Sequence, residues 1–193
     1  MLNKPNIKFI RATLEHRNNI FGWLEEPHVK EFWDVSQGFR DDVLIFMNGR
    51  NVPSAYFEGI FEYWIGVIDE DPYCLMMTSE VESSQVDLLG DWRDNLSKSG
   101  KTYSIDFMIG NKKYLGKGLA VFTLESFTKF INESVDSTID TFFIDPEESN
   151  LRAKHVYQKA GFKCISEFKR DFNDRNNVTH SLMVKKSCTQ KMI

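Results

Sequence analysis

The sequence predicts one mixed α/β domain, spanning residues 1–193, in which strands and helices alternate along most of the chain. A length of 193 residues suits a single domain, and a hydrophobic share of 41% is ordinary for a globular protein. Two aromatic and branched runs flank a turn signal at 69–72, which predicts an antiparallel hairpin. Two later runs, 116–132 and 149–160, place apolar residues at helical spacing between strand-like runs.

The first half of the chain predicts a strand, three short helices and the hairpin. Pro27 supports the start of the second helix, because proline is favoured in a first helical turn. The predicted strands are 7–13, 63–68 and 73–79, and the predicted helices are 16–25, 27–33 and 39–48. The polar stretch 80–101 contains Gly90 and Gly100 and predicts a long loop, a feature that is often functional in compact domains.

The second half predicts alternating strands and helices that end in two closing strands. The helix over 116–132 has its apolar residues mainly on one face. The helix over 149–160 is expected to begin with Ser149 as its N-cap and to end with Gly161 in the C′ position. The predicted strands are 102–109, 138–144, 162–172 and 178–185.

Charge and cysteine content argue against several classes of protein. The formal net charge is −4, and the sequence shows no basic patch of the kind that nucleic-acid binders carry. Three cysteines without a CxxC pair argue against a disulfide framework and a zinc site, so no metal is expected. Charged residues stand where a signal peptide needs an apolar run, and no apolar run approaches the roughly 18 residues of a membrane span. We therefore expect a cytoplasmic protein without nucleic-acid or membrane partners.

The sharpest motif is a glycine pair between a predicted strand and a predicted helix. The strand ends at Gly110, and the run KYLGKG follows at 113–118. Glycines at a helix N-terminus let backbone N–H groups approach a phosphate, and the helix dipole and two lysines add positive charge. We interpret the run as a pyrophosphate cradle, which matches neither the GxxxxGK[ST] pattern for ATP nor the GxGxxG pattern for NAD. The alternative is a glycine-containing turn with solvated lysines.

With this motif the chain resembles the GNAT superfamily of N-acetyltransferases. Their acyl-CoA signature, (Q/R)xxGx(G/A), follows the fourth strand, and Lys113 here replaces its first residue. Four segments in one order resemble the aminoglycoside 6′-N-acetyltransferases, namely WLEEPHVKEFW, SIDFMIG, YLGKGL and DPEESNLRAKHVYQKAGF. The resemblance implies a mixed, mostly antiparallel central sheet that is splayed between strands 4 and 5 and flanked by helices. It also implies an acetyl-CoA-dependent N-acetyltransferase acting on a cationic small-molecule amine, an activity associated with antibiotic resistance.

The resemblance implies acetyl-CoA contacts on several segments. The pantetheine would bind along 107–109 like an extra strand edge, and the N–H of Phe107 or Met108 would polarise the thioester carbonyl. The alternative for these positions is an ordinary core strand, and for Asn150 it is a simple helix cap. The implied cofactor-binding residues are Phe107, Met108, Ile109, Lys113, Tyr114, Leu115, Gly116, Lys117, Gly118, Leu119, Asn150 and Lys154.

Two residues are catalytic candidates. Asp106 stands in a strand of otherwise aromatic and branched residues, where a carboxylate needs a partner. The resemblance implies that Asp106 holds the acceptor ammonium and takes its proton, and the alternative is a structural salt bridge. The resemblance implies that Tyr157 protonates the departing thiolate, and the alternative is a core tyrosine with a satisfied hydroxyl.

The resemblance also implies an acidic acceptor site. Its residues are Trp33, Asp91, Trp92, Asp106 and Asp145, and we expect the three carboxylates to converge. Several carboxylates would suit a polycation, because charge-assisted hydrogen bonds are the stronger ones. The alternatives are a turn role for Asp145, a solvated acid at Asp91, a packing role for Trp92 and a core position for Trp33. His28 is interpreted as a surface histidine.

Two other functions stay open from the sequence. One is acetylation of a hydroxylamino-lysine in siderophore biosynthesis, and the acid-rich acceptor positions favour the aminoglycoside-type function over it. The other is a non-catalytic acyl-CoA-binding module, and the presence of both Asp106 and Tyr157 favours an enzyme over it. The expected mechanism is direct transfer through a ternary complex, in which positioning of two substrates supplies much of the rate and no metal takes part.

Overall fold

The computed structural model describes residues 5–172 and 175–187, and Cys188 lies outside them. The strands are β1 (Ile7–Arg11), β2 (Phe61–Ile68), β3 (Asp71–Val81), β4 (Lys101–Ile109), β5 (Ile139–Ile144), β6 (Lys163–Phe172) and β7 (Arg175–Lys186). The α-helices are α1 (Arg17–Leu24), α2 (Pro27–Lys30), α3 (Gln37–Met47), α4 (Gly90–Asn95), α5 (Leu119–Phe130) and α6 (Leu151–Lys159). Two 3-10 turns, Leu14–His16 and Lys112–Tyr114, and a π-helical turn, Ile131–Val135, accompany them.

These elements form two compact units. Unit 1 comprises Met1–Ser79 and Asp106–Thr123, and unit 2 comprises Glu80–Ile105 and Leu124–Ile193. The strand order is β1-β2-β3-β4 in unit 1 and β4-β5-β7-β6 in unit 2, with β4 contributing residues to both. The β4–β5 pair is parallel, and the pairs β1–β2, β2–β3, β5–β7 and β6–β7 are antiparallel. This arrangement confirms the predicted fold class, and the single-domain organisation stays a prediction.

The parallel pairing of β4 with β5 is short. It runs from Lys101 to Ser104 on β4, whereas the strand itself continues to Ile109. Phe107 and Met108 therefore lie beyond the part of β4 that pairs with β5, and the splay between strands 4 and 5 stays a prediction.

The β2–β3 hairpin turns more tightly than the sequence predicts. Asp69 and Glu70 form the loop with φ values of 49° and 65°, and Asp71 already belongs to β3. Two-residue loops with positive φ match the twist of antiparallel strands, so the hairpin closes without a longer turn.

The core of unit 1 is a buried cluster to which β2, β3, α1 and α3 contribute. Alternate residues of β2 over 63–67 point into this cluster, because successive side chains of a strand point to opposite faces, and the residues between them are buried as well. Trp23 of α1 and Met108 of β4 belong to the same cluster. Burial of Met108 fixes the strand segment that carries Asp106.

The prediction of a loop over 80–101 is wrong in part. β3 extends to Val81, and α4 occupies the middle of the segment. Trp92 and Leu96 pack against a buried cluster that includes Phe143. Tertiary packing therefore orders a segment whose sequence has little helical periodicity.

The N-cap of α6 is Asn150, so the prediction of Ser149 is wrong. Asn150 Oδ1 accepts the N–H of Ala153 at 3.0 Å, whereas the Ser149 hydroxyl donates to Glu147. Gly161 follows the helix with φ of 93°, which confirms its predicted C′ position.

Candidate active site

The loop between β4 and α5 places two left-handed glycines directly before the helix. Gly116 has φ of 72° and Gly118 has φ of 70°, a conformation that L side chains rarely adopt. Both residues are exposed, and a Cβ added to either would meet no atom within 4 Å. A helix N-terminus with open space in front of it suits an anion such as a pyrophosphate.

Asp71 anchors this loop to the start of β3. Its Oδ2 accepts the Lys113 ammonium at 2.9 Å and the Tyr114 hydroxyl at 2.8 Å, and these bonds lower the pKa of the Asp71 carboxyl. The buried Tyr114 ring packs on Tyr73 with centroids 5.2 Å apart. Lys113 is therefore engaged with Asp71, whereas the exposed Lys117 lies over the Tyr114 ring at 5.8 Å.

The end of β4 is held by two side chains from the first helices. His28 Nε2 lies 2.9 Å from the Ile109 carbonyl oxygen. Because a carbonyl only accepts, Nε2 carries the proton in this contact. A Cβ at Gly110 would lie 2.1 Å from the Trp23 ring, so only glycine allows the ring to approach the backbone there. The prediction that His28 is a surface histidine is wrong, since it is half-buried and bonded to β4.

Asp106 lies half-buried in β4, on the face it shares with Met108. Burial raises the pKa of Tyr63 on β2, and the hydrogen bond to Asp42 and the charges of Asp42 and Asp106 raise it further. The Tyr63 hydroxyl donates to Asp42 at 2.6 Å, and Arg50 pairs with the same carboxylate. This network could not be found from the sequence, because its members lie on separate segments without a motif.

Asp145 follows β5 and is almost fully buried. Its side chain is 5% exposed, and its Oδ2 lies 2.9 Å from Arg170 Nη1 of β6. His180 Nδ1 of β7 lies 2.9 Å from the Asp145 carbonyl oxygen and 3.8 Å from its Oδ2. Burial raises the pKa of the Asp145 carboxyl, against the lowering effect of Arg170 and His180, and burial lowers the pKa of His180. The expected acceptor carboxylate thus already has a cationic partner.

The predicted residues of α6 also have partners within unit 2. Lys154 is 16% exposed and pairs with Glu148, which accepts the Ser181 hydroxyl as well. These two bonds lower the pKa of the Glu148 carboxyl. Tyr157 is buried, and its ring centroid lies 6.3 Å from that of Phe162.

The two tryptophans predicted for the acceptor site share an uncommon feature. Trp33 packs on the unit 1 core, and Trp92 packs edge-on against Phe143 and Phe168 at 5.3 and 5.6 Å. Within the described residues, the indole nitrogen of each is buried and has no hydrogen-bond partner. A buried donor without a partner costs free energy, so these donors suit a ligand or an ordered water.

Comparison with known proteins identifies the family. A family model described as an acetyltransferase (GNAT) domain matches residues 13–170. The chain belongs to this family. The GNAT chain is 26% identical over 146 residues to aminoglycoside N(6')-acetyltransferase type 1 of Klebsiella pneumoniae, a match that covers 75% of this chain and 67% of that protein.

Solved structures share the GNAT fold with this chain. Aminoglycoside N(6')acetyltransferase from Legionella pneumophila matches with a TM-score of 0.72 and 27% identity, covering 96% of this chain and 94% of that one. The aminoglycoside acetyltransferase AAC(6')-Ib in complex with coenzyme A and kanamycin matches with a TM-score of 0.70 and 22% identity, covering 94% of this chain and 95% of that one.

The GNAT chain brings some of the predicted site residues into one neighbourhood. In unit 2 the Trp92 ring contacts Phe168, the Phe168 ring stacks on His180 at 5.8 Å, and His180 contacts Asp145. Asp91 precedes Trp92 on α4 and is exposed. The convergence of Asp106 with Asp91 and Asp145 stays a prediction.

Arg170 and His180 were not found from the sequence. Both lie in the closing strands, far along the chain from Asp145, and neither belongs to a motif. Only the pairing of β6 and β7 with the rest of unit 2 places them beside the carboxylate.

The described part of the chain contains neither a cluster of metal-ligand side chains nor a membrane-spanning helix. Across residues 5–172 and 175–187, no three His, Cys, Asp or Glu side chains cluster in a way that could hold a metal ion. The helices in this part of the chain are too short or too polar to cross a bilayer. Cys74 is buried, Cys164 is exposed, and both are free thiols.

Proposed function

We propose that this GNAT protein transfers the acetyl group of acetyl-CoA to an amine of a cationic small molecule of the aminoglycoside type. The observation that carries the proposal is the pair of left-handed glycines before α5, with open space in front of them. The names of the relatives support the acceptor class, since aminoglycoside N(6')-acetyltransferases appear among both the sequence and the structural matches.

Acetyl-CoA supplies the acetyl group as a thioester, and residues of unit 1 bind it. The backbone N–H groups of 116–118 and the dipole of α5 bind the pyrophosphate, and Lys117 adds an exposed positive charge. The N–H of Phe107 or Met108 polarises the thioester carbonyl. The support for this assignment is the short pairing of β4 with β5, which ends at Ser104.

Asp106 holds the acceptor ammonium and takes one proton from it, directly or through water. The amine then forms a C–N bond to the acetyl carbon as the C–S bond breaks. Tyr157 donates a proton to the departing sulfur and recovers one from the acetylated nitrogen, which thereby becomes a neutral amide. The half-buried position of Asp106 in β4 supports a role as base, because a carboxylate held on a strand is positioned to accept a proton from a bound amine.

The acceptor site combines carboxylates with indole donors. Asp91 and Asp145 bind ammonium groups of the acceptor, and Trp33 and Trp92 donate their indole N–H groups to its oxygen atoms. The support for the tryptophans is that each indole nitrogen is buried without a hydrogen-bond partner in the described part of the chain. An aminoglycoside offers both kinds of group, ammonium and hydroxyl, on one molecule.

We also infer a cytoplasmic location without nucleic-acid or membrane partners. Two free thiols suit a reducing compartment, and a net charge of −4 does not favour binding to phosphate backbones or anionic lipids.

The experiment that tests the proposed function measures release of free CoA thiol from acetyl-CoA in the presence of single acceptors. The acceptors are kanamycin, a linear polyamine, a monoamine and a hydroxylamino-lysine, with an acceptor-free reaction as the background. Mass spectrometry of the kanamycin product identifies the acetylated nitrogen. We expect turnover with kanamycin at the highest kcat/KM of the four.

The outcomes separate the alternatives. Turnover with the hydroxylamino-lysine alone would replace the aminoglycoside-type function with the siderophore-type one. Binding of acetyl-CoA by calorimetry, without thiol release for any acceptor, would identify a non-catalytic acyl-CoA-binding module.

A further inference from the structure

The ion pair between Asp145 and Arg170 lies at the surface of unit 2. The Asp145 side chain is 5% exposed, whereas the Arg170 side chain is 41% exposed. The buried carboxylate is therefore paired with a side chain that reaches solvent. An ammonium that binds this carboxylate has to compete with the guanidinium.

The backbone that carries the Asp145 carboxylate is held in place by its surroundings. His180 contacts the Asp145 carbonyl oxygen, and the Phe168 ring stacks on the other side of the imidazole. The Ser181 N–H donates to the Pro146 carbonyl at 3.0 Å and ties the same turn to β7. These contacts fix the backbone position from which the carboxylate extends, so Arg170 and an incoming cation compete for the same carboxylate.

Resting on the proposed function, we propose that Arg170 is a specificity-determining residue, whose guanidinium occupies the Asp145 carboxylate in place of an acceptor ammonium and weakens the binding of polycationic acceptors. The guanidinium leaves Asp145 only when another cation takes its place, because a buried carboxylate without a cationic partner is costly, and an acceptor ammonium is such a cation. An acceptor with an ammonium at this position displaces the guanidinium. Its apparent Kd equals the intrinsic Kd divided by the fraction of molecules in which Asp145 is unoccupied. An acceptor without such an ammonium does not have to compete.

The test compares Arg170→Gln with Lys169→Gln. Both changes remove one positive charge. Lys169 is the exposed neighbour of Arg170 on β6, and its side chain points to the opposite face of the strand. Calorimetry measures the Kd of kanamycin and of a monoamine for each variant, and thiol release is measured separately. We expect Arg170→Gln to tighten kanamycin binding about five- to tenfold, because the variant lacks a competitor that occupies Asp145 in most wild-type molecules. Lys169→Gln should leave both affinities unchanged, and the monoamine affinity should not change in either variant.

Arg170→Lys and the double variant Arg170→Gln/Asp145→Asn identify the cause. Arg170→Lys keeps the charge and should bind kanamycin as the wild type does. The double variant should lose the gain, because the gain requires the Asp145 carboxylate. If Arg170→Gln does not fold, as judged by thermal unfolding, Arg170→Met keeps the aliphatic length and takes its place.

An unchanged or weakened kanamycin Kd in the folded charge-removing variant would overturn the role of Arg170 and leave a purely structural ion pair. The proposed function fails separately, through the absence of thiol release with wild-type protein. Because the Kd is measured without turnover, that failure does not affect the test of Arg170.

Discussion

Two strand-to-helix connections carry eight of the eighteen predicted site residues, one between β4 and α5 and the other between β5 and α6, and their helix termini differ. Before α5 the capping position belongs to Gly118, which has no side chain, and the space beside it is open. Before α6 the Asn150 side chain accepts the N–H of Ala153 and caps the helix from within the chain.

The two connections also differ in how their charged side chains are paired. Lys117 is exposed before α5, whereas Lys154 in α6 pairs with Glu148. Asp145, which precedes α6, pairs with Arg170. The first connection can receive an anion from outside the chain, and the second supplies its own partners. A family motif therefore locates a charged residue in the chain, but it does not show whether another side chain already pairs with that charge.

Replacement of the two aspartates is expected to have the largest effect on turnover. We predict that Asp106→Asn lowers kcat/KM for kanamycin by about 10²–10⁴-fold, the usual contribution of a general base. Asp145→Asn should lower it by less than about tenfold, because Arg170 already balances the charge that is removed. Steady-state thiol release measures both effects, and calorimetry with acetyl-CoA checks that the cofactor still binds. A larger loss for Asp145→Asn than for Asp106→Asn would move the base to the β5–α6 connection.

A second comparison concerns the two helix termini. We predict that Gly118→Asp weakens acetyl-CoA binding by about a hundredfold, because it combines left-handed strain with a negative charge at a helix N-terminus that binds an anion. Gly118→Asn has the same shape without the charge, and asparagine tolerates this conformation, so its loss should be about tenfold smaller. Isothermal calorimetry with acetyl-CoA measures both.

Asn150→Ala is the matched change before α6. It should destabilise the fold by about 1 kcal/mol through the lost cap while acetyl-CoA affinity changes little. Thermal unfolding and the same calorimetry give the two values. Equal acetyl-CoA affinities for Gly118→Asp and the wild type would remove the cradle from the β4–α5 loop.

The sequence was sufficient for features that depend on local backbone. The order of strands and helices, the hairpin and the glycine run all follow from periodicity and turn residues that lie close together in the chain. Gly116 and Gly118 are the clearest case, because their left-handed φ values are the property for which glycine is selected at such a turn. Motif and conformation there involve the same few residues.

The features that the sequence did not predict depend on partners far apart in the chain. Helix α4 is ordered by packing of Trp92 on Phe143 and Phe168, and no local pattern encodes that contact. The His28 side chain bonds to the Ile109 carbonyl, although the two residues lie 81 positions apart in the sequence. A single sequence gives no distances between such positions, so their partners and burial could not be derived from it.

The smallest effect is expected from the two lysines. We predict that Lys117→Met weakens acetyl-CoA binding by about two- to fivefold at low salt, because an exposed amine beside the cradle adds modest Coulomb attraction to the pyrophosphate. This loss should shrink at about 1 M salt, where the screening length falls to about 3 Å.

Lys154→Met should change acetyl-CoA affinity by less than about twofold at either salt concentration, since its ammonium is already paired with Glu148. It should instead lower the unfolding temperature, because Glu148 loses a partner. Calorimetry at the two salt concentrations and thermal unfolding measure these effects. A loss of affinity for Lys154→Met that exceeds the loss for Lys117→Met would mean that the Lys154–Glu148 pair opens when acetyl-CoA binds, and the β5–α6 connection would then join the cofactor site.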